Sequence, residues 1–140
     1  MIQRIQSLWL FLAAAAAALS YKIPFFESTN QSADGTSGLA TYLNAGSNFF
    51  TLITTGISLL LALVTLFYYK NRKLQLKLAS AGIVISLLII VLFFSAMKKM
   101  GGSVPSITSV IVLVAPVFYI LAARGIWKDE KLIKSLDRLR

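Results

Sequence analysis

The chain has 140 residues, 57% of them hydrophobic and 14% charged, with 14 Lys and Arg against five Asp and Glu. Soluble domains carry roughly 45–50% apolar residues, so this composition points to lipid as the main solvent. The absence of His and Cys excludes Ser-His and Cys-His triads, histidine or thiolate metal sites, disulfides and dithiol redox chemistry.

A hydrocarbon core of about 30 Å takes roughly 20 residues of apolar helix. Four charge-free runs approach or reach that length, at 5–21, 49–69, 78–97 and 104–123. The first is the shortest. Snorkelling of Lys22, with the apolar Ile23, Pro24, Phe25 and Phe26 behind it, extends that run. The predicted spans are therefore 5–26, 49–69, 78–97 and 104–123. No sustained two-residue alternation marks a spanning strand. Arg4 followed by residues 8–19 also fits a secretory signal, but the distribution of basic residues favours an uncleaved first helix.

Span one is alanine-rich from Ala13 to Ala18, which suits either close helix approach or simple apolar filling. Pro24 and the Phe25-Phe26 pair mark its exit, with the aromatics expected near the interface. Residues 27–48 form an exposed polar loop too poor in apolar residues for a packed core. Within it, Leu39, Tyr42 and Leu43 have the spacing of a short helical turn. Asn30 opens a three-residue glycosylation pattern, a common chance match.

Span two opens with Thr51, Thr54, Thr55, Gly56 and Ser58, whose hydroxyls are expected to serve helix packing more than solute contact. Phe67, Tyr68 and Tyr69 form an aromatic girdle at its end. Span three begins with Ala79 to Gly82, and Ser86 follows Gly82 at small-xxx-small spacing. A turn at Gly101, Gly102 and Ser103 makes spans three and four antiparallel neighbours. Pro116 lies inside span four, where it removes one backbone hydrogen bond and predicts a kink near Val112. The tail, 124–140, continues as an amphipathic helix with Leu132, Ile133, Leu136 and Leu139 on one side and basic residues on the other. Asp129 falls within its apolar sector. Glu130 precedes Lys134 by four residues, a favourable orientation for an ion pair.

Counting Lys and Arg between spans gives orientation. Arg4, the loop Lys70, Arg72, Lys73 and Lys77, and six residues of the tail lie on one side, 11 in all. Only Lys22, Lys98 and Lys99 lie on the other. Positive residues stay cytoplasmic, so both termini are expected there. The net charge of +9 then reflects topology and attraction to anionic lipid headgroups. Nucleic acid is not an expected partner, because the basic residues flank spans and lack interleaved stacking aromatics.

The remaining acid–base candidates are Glu27, Asp34, Asp129, Glu130 and Asp137, and none lies within spans two to four, so a proton relay or buried cation site has little support. Ser95 and Lys98 match an S-x-x-K pattern by chance, without companion motifs. No catalytic, cofactor or metal residue is assigned. The charged groups of the loop and tail are complementary. Arg72 and Lys73 therefore form a candidate interaction surface with Asp129, Glu130, Leu132, Leu136, Asp137 and Arg138, either through the tail folding back on the loop or as one docking face.

Three segments carry a resemblance: Met1 to Gln6, Tyr69 to Gln75, and Arg124 to Arg140. Together they resemble the domain-of-unknown-function family 4293, short four-helix integral membrane proteins of Bacteroidota. The resemblance implies a bacterial inner-membrane location and supplies no catalytic residues. The expected fold class is all-α: a polytopic four-transmembrane-helix bundle with a C-terminal cytoplasmic amphipathic helix. The expected function is that of a non-enzymatic accessory subunit or assembly factor, with no cofactor, binding lipid and other membrane proteins. A small oligomeric transporter or channel is the alternative.

Overall fold

In a computed structural model the apolar runs become four helices, joined at one end by a very small sheet. The structure describes residues 3–28, 41–69, 71–99 and 104–137. Helix α1 spans Gln3–Leu19, α2 Phe49–Phe67, α3 Arg72–Lys99 and α4 Val110–Asp137. Strands β1 (Phe26–Ser28) and β2 (Thr41–Leu43) lie between α1 and α2. Strand β3 (Val104–Pro105) and a 3-10 turn (Ile107–Ser109) lead into α4. Helices α2, α3 and α4 are long and apolar enough to cross a membrane, and α1 is a shorter apolar helix. At 1.5 Å per residue α2 covers about 28 Å, while α3 and α4 each cover about 42 Å. The latter two therefore outrun a hydrocarbon core of about 30 Å.

Each helix packs against its neighbours in a closed ring, α1 on α2 and α4, α3 on α2 and α4. Contacts at the ends fix the directions. The Ala45 N–H donates to the Ser20 carbonyl, and the Tyr21 hydroxyl donates to the Leu52 carbonyl, joining the end of α1 to the start of α2. Gln75 at the start of α3 reaches Thr65 at the end of α2. Gln6 at the start of α1 reaches Asp129 near the end of α4. The helices thus alternate up and down, with the starts of α1 and α3 and the ends of α2 and α4 at one end. That end also carries Arg72, Lys73, Lys77, Arg124, Lys128 and Lys131, and is called the basic end here.

The seams follow three-and-four spacing, as in left-handed helix packing. On α2 the buried positions are Thr51, Thr55, Ser58, Ala62 and Thr65. On α3 they are Gln75, Ala79, Gly82, Ser86, Ile89 and Phe93. The large apolar residues of α2, such as Ile53, Ile57, Leu60 and Val64, point outward. This polarity is the reverse of a soluble bundle. It is the arrangement that lipid as solvent favours: an outward leucine would lose nothing there, while small and hydroxylated residues let backbones approach and supply hydrogen bonds between helices. At the tightest approach a β-carbon on Gly82 would overlap the Tyr119 ring. The Tyr119 hydroxyl donates across the core to the Ser58 carbonyl at 2.7 Å.

The end opposite the basic end is closed by a cap. The sheet has the order β2-β1-β3, with Phe26 paired to Leu43 on one side and to Pro105 on the other, both antiparallel. Phe25, Phe26, Leu43, Ala45, Ile89, Phe93 and Val112 form one buried cluster beneath it. The Phe25 and Phe93 rings stack at 4.3 Å.

Several expectations change here. Helix α1 ends at Leu19, short of residue 26, because the chain turns at residues 20–25 ahead of Pro24 and the sheet. Phe25 and Phe26 are buried in the cap core, packed against protein. Tyr42 and Leu43 belong to a strand, with Tyr42 exposed and Leu43 buried against the phenylalanines, the alternation of a pleat. Helix α4 begins at Val110, since 104–109 are taken up by β3 and the 3-10 turn. It then runs through the buried Pro116 without interruption into the predicted tail. Leu39, Asn30, Asp34, the 101–103 turn, Arg138 and Leu139 lie outside the described residues.

Candidate functional site

The basic end gathers polar residues from three helices. Asp129 continues the seam of α4 defined by Tyr119, Ala122 and Ile126, so the helical period turns its carboxylate inward, where it is 7% exposed. A buried carboxylate needs partners. Gln6, on the seam of α1, supplies one: its Nε2 donates to Asp129 Oδ2 at 2.7 Å. Arg72, the first residue of α3, places Nη1 at 3.9 Å from the same oxygen. The first contact is a short hydrogen bond to an ionised acceptor, the stronger kind. The second is a long, partly solvated ion pair, a weak kind.

Gly125 makes room for this arrangement. It lies one helical turn before Asp129, and a β-carbon there would come within 2.7 Å of Gln6 Cγ. Close by, Gln75 Nε2 donates to the Thr65 carbonyl at 3.3 Å, satisfying one of the acceptors that the last turn of α2 leaves without a helical partner. Gln6, Leu66, Phe67, Tyr69, Arg72 and Gln75 line a cleft of about 440 Å³ at the same end. Among the described residues there is no group of three carboxylates that could hold a metal ion. What the constellation does is mechanical: it ties the start of α1, the start of α3 and the last third of α4 to one another.

The residues singled out from sequence divide clearly. Arg72 and Asp129 are brought together. Lys73 and Leu132 are exposed, and Glu130 is half-buried. Leu136 and Asp137 belong to α4, but their side chains lie outside what the structure describes, as does Lys134's, and Arg138 lies outside altogether. Gln6, Gln75 and Gly125 were not singled out as site residues. Their signal was positional: each falls on the seam register or faces it. All three lie in the segments that carry the family resemblance, and those segments converge on this end of the bundle.

The sequence profile of a domain of unknown function, DUF4293, matches residues 2–139. No curated protein and no solved structure matches the chain.

Proposed function

The chain belongs to the family of domain of unknown function DUF4293, and we propose that it is a non-enzymatic accessory subunit or assembly factor of a protein complex in the bacterial inner membrane. In this reading all four helices cross the bilayer and both termini are cytoplasmic. The end of α4 is then a cytoplasmic amphipathic helix that presents a docking face. The observation that carries it is the pinned, protruding α4. Asp129 is held by Gln6 and Arg72, while Trp127, Lys128, Lys131, Leu132 and Ile133 around it are exposed. A held helix bearing an outward tryptophan among basic and aliphatic residues suits protein recognition, because little ordering is left to be lost on binding.

The transporter or channel reading has less support. Its best feature is the hydroxyl stripe of α2, and that stripe is taken up in packing within the bundle. The aromatic cap also closes one end of the bundle core, so a solute path would have to form between copies.

Affinity isolation of the tagged chain from native membranes in mild detergent tests the proposal. One membrane protein should co-purify reproducibly with the wild-type chain and be depleted with a Trp127→Ala, Leu132→Ala variant of equal abundance. Isolation of homo-oligomers alone, which conduct or transport in liposomes, refutes the subunit reading.

A further inference from the structure

Beneath the cap the seams leave a gap. A cavity of about 10 Å³ is lined by Ser20 after α1, Thr55 and Ser58 of α2, Ser86 of α3, and Val112 and Ala115 of α4. That volume is about the least that admits one water molecule.

The hydroxyl hydrogens around it can be assigned. Ser20 Oγ donates to the Ala17 carbonyl at 2.7 Å and Ser86 Oγ to the Ile83 carbonyl at 2.8 Å. The Tyr119 hydrogen goes to the Ser58 carbonyl at 2.7 Å, so the 3.3 Å contact between Ser58 Oγ and the Tyr119 oxygen uses the serine's hydrogen. All three serines have committed their donors and keep acceptor lone pairs. Thr55 is the exception. It is 1% exposed, and its Oγ1 has no hydrogen-bond partner. The wall formed by α4 adds a second imbalance. Pro116 has no N–H to give the carbonyl of Val112, the residue four before it that lines the cavity. The residues that line this space of about one water, mostly through apolar atoms, thus include one with an unused donor, three with spare acceptors, and Val112, whose carbonyl lacks the N–H that a residue other than proline would give it.

We propose that this cavity is an internal water site. The water accepts the Thr55 hydroxyl hydrogen and donates to serine oxygens and to the carbonyl that Pro116 leaves open. It thereby links α2 to α4 and offsets the backbone bond that Pro116 removes, a known role of ordered water in proline-containing membrane helices. Neutral water fits better than a monovalent cation, because no carboxylate lines the cavity and an uncompensated buried charge is far costlier. The inference is independent of the docking role proposed above.

The test uses the full chain in detergent or nanodiscs. Thr55→Val keeps the shape and removes the donor. With water present, that change breaks a satisfied network and lowers Tm by about 3 °C or more. In a dry cavity the same change deletes an orphaned hydroxyl, so an unchanged or raised Tm overturns the proposal. A structure at a resolution that shows solvent gives the second readout. Density about 2.7–3.0 Å from Thr55 Oγ1 and from a serine oxygen is expected. An empty cavity, or a Tm that rises specifically with sodium or potassium, overturns it.

Discussion

Asp129 is the side chain whose placement demands most of its neighbours. It is a carboxylate at a seam position, and removing its partners leaves a charge without compensation. The two partners differ in worth. A hydrogen bond to a charged group contributes about 1.5–3 kcal/mol, and an exposed ion pair about 0–1 kcal/mol. Gln6, buried and at 2.7 Å, belongs to the first kind; Arg72, at 3.9 Å with a side chain 26% exposed, belongs to the second. Gln6→Ala should therefore destabilise the purified chain by about 1.5–3 kcal/mol. Arg72→Ala should cost less than about 1 kcal/mol. Thermal unfolding in one detergent compares them, and an equal or reversed order would show that the ion pair dominates. At this scale the charges were legible in the sequence: Arg72 and Asp129 stood out by sign and by the apolar company of Asp129. Gln6 did not, since a neutral amide inside a charge-free run barely alters hydropathy. Its spacing to Leu10, Ala13 and Ala17 acquires meaning only when the seam of α1 is known.

Between elements, what sets the separations is small residues meeting large ones. Helix α4 sends Tyr119 over Gly82 of α3 to reach Ser58 of α2, so one ring spans three helices. Any β-carbon at 82 displaces that ring from a position where its hydroxyl is also engaged. Gly82→Ala should cost about 1–3 kcal/mol, the usual range for overpacking a filled core. The neighbouring Ala81→Gly exchange, at a position only half-buried, should cost closer to the propensity difference of about 1 kcal/mol. Comparing the Tm values of the two variants checks this, and a Gly82→Ala variant as stable as wild type would mean that Tyr119 can move away freely. The helices themselves were readable because charge-free length is a signal of composition alone. The cap was not. Strands of three and two residues are too short to show a period. Their pairing is decided by contacts such as Phe26 with Leu43 and Phe26 with Pro105, far apart in the chain. The same long-range pairing explains why Tyr42 and Leu43, which have helical spacing with Leu39, are extended.

For the molecule as a whole, the aromatic residues at the two ends of α2 mark out a length that would fit a bilayer. Phe49 and Phe50 are exposed at its start and Phe67, Tyr68 and Tyr69 at its end. The 18 residue steps from Phe49 to Phe67 measure about 27 Å, close to the thickness of a hydrocarbon core and flanked by aromatics as at its interfaces. Set in that frame, α3 and α4 extend beyond it at the basic end, where Arg72, Lys73, Lys77, Lys128 and Lys131 lie. On the reading proposed above, the positive-inside tendency would put that end in the cytoplasm and the aromatic cap on the opposite face. The lack of native cysteine makes the assignment directly testable. Single substitutions at exposed positions, Asn48→Cys at the cap and Lys73→Cys and Lys131→Cys at the basic end, give three probes for a membrane-impermeant maleimide. In right-side-out inner-membrane vesicles only the Asn48→Cys variant should be labelled. The other two should react once the vesicles are permeabilised. Labelling of Lys131→Cys together with Asn48→Cys in intact vesicles would put the two ends of the bundle on one side, and the docking face on α4 would lose its cytoplasmic partner.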